Sequence, residues 1–230
     1  MTAVVEARGL WFAYEGGEPV LRNVTFSIEP GERVGILGPN GSGKSTLLWC
    51  LLGFYKPRGE VRLFGQPVRR KLLERVGVVF QNPEDMLFMP SLAADLCLPL
   101  LNRGVAPAEA DRRAREALAR LGLAGLASRA ASSLSLGQRK RAAIAAALAT
   151  APELLLLDEP TAELDGRAAR TLAFVLRELG VTTLVTSHDL TFLGRLATRL
   201  LVLVEGEIAA VGRPEEILAD TARLEAWGLL

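Results

Sequence analysis

The eight residues Gly38-Pro39-Asn40-Gly41-Ser42-Gly43-Lys44-Ser45 fit the pattern G-x-x-x-x-G-K-[ST] and stand between a strand-like run, Arg33–Leu37, and an apolar stretch, 47–52, that Gly53 ends. Few folds accommodate that order. The glycines let the backbone curl until its N–H groups converge, and the positive end of the following helix lies behind them, so the loop is shaped to hold phosphate oxygens. Lys44 adds a mobile point charge for the phosphates, and Ser45 a hydroxyl for Mg²⁺, an ion that takes few protein ligands and keeps several waters. Strand, glycine loop and helix in this order open a phosphate-binding α/β unit.

A second chemical segment lies farther along. Residues 154–157 are four leucines followed by Asp158 and Glu159, which predicts an apolar strand that delivers two carboxylates to the edge where open α/β sheets bind ligands. Asp158 is suited to hold Mg²⁺, directly or through water, and Glu159 to orient and polarise an attacking water, which is most of what phosphoryl transfer asks of a protein. Alone, an apolar run ending in Asp-Glu is common; it gains meaning from the glycine loop.

The rest of the chain divides by pattern. Strand-like runs at 4–14, 21–28 and 33–37, then at 61–64 and 76–80, make the first part β-rich. Residues 91–150 read as helical, dominated by Ala, Leu and Arg, with breaks expected at Pro99, Gly104, Pro107 and Gly122–Gly125. From Leu154 strand and helix alternate again, with apolar runs at 154–157, 183–186 and 200–204 read as buried parallel strands and a helix that aligns Leu172, Val175, Leu176 and Leu179. One domain over 1–230 is expected, its core from 1–81 and 151–230 and a helical subdomain from 82–150.

Composition excludes several classes. With 27 basic against 26 acidic residues the chain has no global positive field for nucleic acid, and no nucleic-acid partner is expected. A single histidine, His188, rules out multi-histidine metal sites. Cys50 and Cys97 lie singly in apolar surroundings, read as core residues in a reducing cytosol. Nine basic and three acidic residues between 103 and 141 read as a solvated helix face. Mean hydropathy is +0.25, yet the longest apolar run is the mostly alanine stretch 142–149, far short of the ~18 residues that span a bilayer. Residues 1–10 lack the basic start and apolar centre of a signal peptide, so none is expected.

Leu134-Ser135-Leu136-Gly137-Gln138 precedes the Asp158-Glu159 strand and closely resembles the LSGGQ signature of ATP-binding cassette (ABC) ATPases. The likeness runs nearly end to end: Tyr14 resembles the family's adenine-stacking aromatic, Gln81 its Q-loop glutamine, Ala162-Glu163-Leu164-Asp165 its D-loop and His188 its switch histidine, all in family order. The resemblance implies an α/β P-loop NTPase of ABC type with an antiparallel β-subdomain and an inserted all-α subdomain. It implies ATP and Mg²⁺ as ligands, with ATP held by Tyr14, Gly38, Pro39, Asn40, Gly41, Ser42, Gly43, Lys44, Ser45 and Thr46, and Mg²⁺ by Ser45, Gln81 and Asp158. Catalysis falls to Glu159, His188 and Gln81. The signature residues Leu134 to Gln138, with Asp165, would face ATP bound to a second ABC chain, as homodimer or paralogue pair.

Two positions depart from the family pattern: Leu136 replaces the signature's middle glycine, and Glu163 stands where the D-loop often has glycine or leucine. Residues 80–88, Phe-Gln-Asn-Pro-Glu-Asp-Met-Leu-Phe, resemble the Q-loop segment of ATPase subunits of energy-coupling factor (ECF) importers, including the cobalt and nickel systems, with Met86 in place of a glutamine. That resemblance implies an energy-coupling ATPase, peripheral on the cytoplasmic face of the membrane, that drives a separate transmembrane subunit importing a metal ion or a vitamin. The apolar run Met86-Leu87-Phe88-Met89 is consistent with a partner groove or with core packing. The alternatives are a membrane-associated regulatory ABC ATPase that moves no solute and a soluble ABC ATPase of repair or translation.

Overall fold

A computed structural model describes residues 2–230; Met1, where the expected domain begins, lies outside the described residues. Two sheets and a set of helices are built in this chain order: β1 (Val5–Ala13), β2 (Pro19–Ile28), β3 (Arg33–Leu37), α1 (Lys44–Leu51), β4 (Arg58–Leu63), β5 (Gln66–Pro67), α2 (Arg70–Leu73) and β6 (Val76–Val79). Then come α3 (Leu92–Asn102), α4 (Pro107–Arg120) and α5 (Leu136–Ala149), and after them β7 (Leu154–Asp158), α6 (Gly166–Glu178), β8 (Thr182–Ser187), α7 (Leu190–Leu196), β9 (Arg199–Val204), β10 (Glu207–Gly212), α8 (Pro214–Ala219) and α9 (Thr221–Ala226).

The smaller sheet is antiparallel, in the order β2-β1-β4-β5. The larger has the order β10-β9-β3-β8-β7-β6, parallel from β9 to β6, with β10 pairing antiparallel at one edge. Its strands alternate between two cores, as the period of two requires. Leu155 and Leu157 of β7 and Val185 of β8 face the helices, whereas Leu154, Leu156 and Leu184 face α1 and the antiparallel sheet. Both faces are covered, which is why these strands read as unbroken apolar runs.

The parallel strands and the helical stretch fall where the sequence places them, and the fold is the expected α/β architecture with an antiparallel sheet and inserted helices. Pro99 is a correction: it does not break the helix but lies inside α3. Proline in a helix interior costs ~3 kcal/mol. Leu92, Leu96 and Leu100, at 0%, 0% and 1% exposure, form one buried stripe along α3. At ~1.5–3 kcal/mol for each fully buried leucine that stripe outweighs the loss. The expected run 76–80 ends one residue early, and β10 had no apolar signal because it is an edge strand whose residues alternate between exposed and half-buried.

The arginine-rich surface of α4 is a solvated face: Arg112 bonds Glu109 and Glu116, and Arg115 bonds Asp111 at 2.7 Å. The guanidinium groups of Arg112 and Arg113 hold the Glu109 carboxyl down at about 2. Cys50 is buried in the core beside the antiparallel sheet, which pushes its thiol up to about 12, as suits an inert packing residue. Among the described residues no helix is long and apolar enough to cross a membrane.

Candidate active site

The C-terminal ends of β3, β6, β7 and β8 lie side by side, and the chemistry-bearing residues follow directly from them. After β3 the loop turns into α1 through Gly43, whose φ of 101° only glycine adopts readily; a Cβ there would also lie 2.9 Å from the Val20 carbonyl oxygen. The turn buries Lys44 at 6% exposure. Its Nζ donates to the carbonyl oxygens of Gly38 at 2.7 Å and Pro39 at 3.0 Å, within the loop itself. One residue on, Ser45 Oγ donates to Asp158 Oδ1 at 3.1 Å, so the glycine loop and the end of β7 are joined by a hydroxyl and a carboxylate.

Thr186 of β8 ties the Asp158 carboxylate to the Glu159 backbone. Its Oγ1 donates to Asp158 Oδ1 at 2.6 Å and also lies 3.1 Å from the Glu159 backbone N–H, which the Thr186 carbonyl accepts at 3.1 Å as well. Sequence reading missed this residue, because a threonine inside an apolar run looks like any β-branched strand residue; only the β7–β8 register, which sets Asp158 opposite Thr186, gives it a role.

Glu159 takes a left-handed backbone, φ 44°, uncommon for a non-glycine residue. The turn swings its side chain between two basic groups, with Oε1 3.2 Å from Lys44 Nζ and Oε2 3.0 Å from His188 Nδ1. Glu159 is 6% exposed while the histidine ring is half in solvent. A buried carboxylate flanked by a cation and an imidazole thus lies beside the glycine loop.

Tyr14 stands on the other side of the loop. Its hydroxyl shares a hydrogen bond with Thr46 Oγ1 at 2.9 Å, its ring lies T-shaped to those of Phe12 and Tyr55, and it is 45% exposed. Tyr14, Asn40, Lys44, Gln81, Glu159 and His188 line one cavity of about 490 Å³. Gln81 also lines a neighbouring cleft of about 830 Å³ with Ser45, Asp158 and Leu136. The structure thus brings together Tyr14, the glycine loop, Gln81, the two carboxylates and the histidine.

Ser135, Gly137, Gln138 and Asp165 do not join them. They line a separate groove of about 260 Å³ between α5 and α6. Ser135 caps α5 through a capping box: its Oγ accepts the Gln138 N–H at 3.3 Å, and Gln138 Oε1 accepts the Ser135 N–H at 2.9 Å. Asp165 caps α6 by accepting from the N–H groups of Arg167 and Ala168. Leu134 is buried, at the start of this motif.

The apolar run after Gln81 divides. Leu87 joins the core, Met86 and Met89 are half-buried, and Phe88 is 69% exposed. A further residue that sequence reading missed holds this arrangement: Asp95 of α3, 5% exposed, accepts the backbone N–H groups of Phe88 at 2.9 Å and Met89 at 2.8 Å through Oδ1. Burial raises its pKa above the usual carboxylate value, against the lowering effect of those two bonds.

The family profile described as "ABC transporter" matches residues 21–162. An energy-coupling factor transporter ATP-binding protein, EcfA, of Methanothermobacter thermautotrophicus is 41% identical over 227 residues, covering 94% of this chain and 73% of its own. Among solved structures, cbiO1 of Clostridium perfringens, described as part of the ABC transporter complex cbiONQ, superposes with a TM-score of 0.89 at 32% identity, covering 98% of this chain and 94% of its own. The ATP-binding cassette MJ0796, a dimer in a post-hydrolysis state bound to ADP and Pi, gives 0.79 at 31% identity, covering 91% and 98%. With the glycine loop, the paired carboxylates and the signature helix all in place, the chain belongs to the ABC transporter family, as one of its ATP-hydrolysing cassettes.

Proposed function

We propose that this cassette is the energy-coupling ATPase of an ECF-type importer, acting on the cytoplasmic face of a membrane and driving a separate transmembrane subunit. The observation that carries the catalytic part is Glu159, held between Lys44 and His188 one residue after a carboxylate that touches Ser45. In this reading the loop 38–46 binds the ATP phosphates, Tyr14 stacks on adenine, and Lys44 transfers from its loop carbonyls to the phosphates. Glu159 accepts the proton of the attacking water, and His188 both steadies Glu159 and donates toward the charge that develops on the transferred group.

Ser45 Oγ and Asp158 Oδ1, 3.1 Å apart, are hard oxygen donors of the kind Mg²⁺ takes, and Gln81 lines the same cleft. When bound there by Ser45 and Asp158, Mg²⁺ would supply positive charge that offsets the charge on the phosphates.

The separation of Ser135, Gly137 and Asp165 from the glycine loop supports a head-to-tail pair in which each chain's signature helix covers the partner's nucleotide. That the ADP-bound cassette MJ0796 is dimeric supports pairing of two chains. The exposed Phe88, seven residues after Gln81, is the contact offered to the membrane subunit, and the likeness to EcfA and cbiO1 supports an importer of the ECF type. Cobalt, nickel or a vitamin is the proposed class of cargo.

Glu159→Gln tests the catalytic reading: it should abolish phosphate release and leave an ATP-stabilised dimer in size-exclusion chromatography. Near-normal phosphate release by that variant would remove Glu159 from the role of base. Uptake of labelled cobalt, nickel and vitamins by cells with and without the gene, with the partner isolated from their membranes, tests the transport reading; unchanged uptake of all would overturn the cargo class.

A further inference from the structure

Tyr14 stands just past β1, in the turn to β2, where its carbonyl oxygen accepts the Gly17 N–H at 2.9 Å. The β1–β2 ladder ends one residue earlier, at Ala13. A side chain so placed, and 45% exposed, keeps one rotamer only where its neighbours exclude the others. Here the neighbours are aromatic. Phe12 and Tyr55 stack on each other, centroids 5.0 Å apart with 15° between their planes, and each lies T-shaped to Tyr14, at 5.1 Å and 84° and at 5.6 Å and 83°. Two nearly parallel rings thus set one orientation for the third.

Tyr55 belongs to the segment that leaves α1. The N–H groups of Phe54 and Tyr55 both donate to the Trp49 carbonyl oxygen, at 3.0 and 3.4 Å, which ties this segment to the last turn of the helix. The Trp49 ring lies 6.5 Å from that of Tyr55. The first turn of the same helix carries Lys44, Ser45 and Thr46, and Thr46 Oγ1 shares the 2.9 Å hydrogen bond with the Tyr14 hydroxyl. Tyr14 is therefore held from both ends of α1, its hydroxyl by the start of the helix and its ring by a residue tied to the end. Tyr55 is not among the residues that line the cavity Tyr14 borders with Asn40, Lys44 and Thr46.

We propose that Tyr55 is a positioning residue for the nucleotide base: stacked on Phe12 and anchored to α1, it fixes the angle of the Tyr14 ring, so that the base-stacking side chain and the phosphate loop keep one spacing. Tyr55 touches no part of the nucleotide. Its effect passes through Tyr14, and it should matter only for ligands that carry a base. The proposal rests on the reading that Tyr14 stacks on adenine.

The test measures Kd by calorimetry, with Mg²⁺ present, for the non-hydrolysable ATP analogue AMP-PNP and for inorganic tripolyphosphate, which has the phosphates and no base. The proteins are the purified full chain, Tyr55→Leu, Tyr55→Phe, Tyr14→Ala and the double variant of Tyr14→Ala with Tyr55→Leu. Tyr55→Leu should weaken AMP-PNP about fivefold, the size of effect one aromatic pair gives, and leave tripolyphosphate within about 1.5-fold. Tyr55→Phe keeps the ring and should match the unmodified chain with both ligands. Tyr14→Ala should weaken AMP-PNP at least as much, again sparing tripolyphosphate, and the double variant should bind no more weakly than Tyr14→Ala, because one residue acts through the other. An unchanged AMP-PNP Kd in Tyr55→Leu, a loss shared equally by both ligands, or a further loss of similar size in the double variant would overturn the role of Tyr55. The two readings fail separately. If Tyr14→Ala binds AMP-PNP as tightly as the unmodified chain, the stacking role of Tyr14 falls, whereas unmodified affinity in Tyr55→Leu beside a weakened Tyr14→Ala removes Tyr55 alone.

Discussion

Lys44 Nζ lies 3.2 Å from Glu159 Oε1, with both side chains more than nine-tenths buried. A buried ion pair is held in place only where each charge has further partners, and both do: Lys44 donates to two loop carbonyls, and Glu159 lies 3.0 Å from His188. The phosphate that the loop is shaped to bind must therefore compete with Glu159 for the ammonium. In the proposed reading, ATP binding would hand Lys44 from the carboxylate to the phosphate and leave the Glu159 side chain oriented by His188, so that the proposed base is released when its substrate arrives.

Lys44→Ala removes the charge that both groups compete for. A hydrogen bond to a charged group contributes ~1.5–3 kcal/mol, so ATP affinity should fall about 10- to 100-fold. Equilibrium binding of a fluorescent ATP analogue measures it. Arginine at this position should fail too, because a rigid fork on a longer stem cannot reproduce a compact ammonium turned onto Gly38 and Pro39.

His188→Ala should leave nucleotide affinity within about twofold and lower kcat by ~10² or more, the loss typical of one donor aimed at developing charge. The split between Kd and kcat is the informative result. Hydrolysis at the unmodified rate would reduce the chain's one histidine to a surface residue that happens to touch Glu159.

Thr186→Val keeps the shape of β8 and deletes the hydroxyl shared by Asp158 and Glu159. An unsatisfied buried polar group costs ~1–3 kcal/mol, so Tm should drop by several degrees. The Mg²⁺ concentration that half-saturates hydrolysis should rise as Asp158 loses its 2.6 Å tether. A lower Tm with unchanged Mg²⁺ dependence would confine Thr186 to a packing role.

These residues differ in how plainly the sequence shows them. The glycine loop and Asp158-Glu159 are legible because their chemistry is local: glycines permit the turn, and a run of leucines delivers two acids to a sheet edge. Tyr14, Gln81 and His188 carry no such local pattern, and their place became readable only through the resemblance of the whole ordered series. Thr186 and Asp95 were not legible by either route. Each acts across a tertiary contact, Thr186 through strand register and Asp95 through a loop folded back on its own helix, and neither residue type is unusual where it stands. Pro99 misled for the opposite reason, since a strong local rule was overridden by the leucine stripe that buries α3.

Asp95 gives a pH-dependent prediction whose sign follows from its burial. Its folded pKa is raised, chiefly by desolvation, above that of an unfolded chain. Below the ordinary aspartate pKa both states hold the proton and the group costs nothing. As pH rises through the raised folded value, the unfolded chain has already ionised while the fold must bury a charge, so stability is lost in that window. Oδ2 is buried without a partner, whereas Oδ1 accepts both N–H groups. Asparagine keeps that carbonyl oxygen and carries no charge. Asp95→Asn should therefore raise Tm at pH 7 and lose its advantage as pH is lowered toward the ordinary aspartate value. Asp95→Ala should lower Tm at every pH, because the N–H groups of Phe88 and Met89 lose their acceptor. Thermal unfolding of the three proteins across pH 4 to 8 measures both effects, and an Asp95→Asn advantage that grew toward acid would show that the carboxylate stabilises the fold in its ionised form.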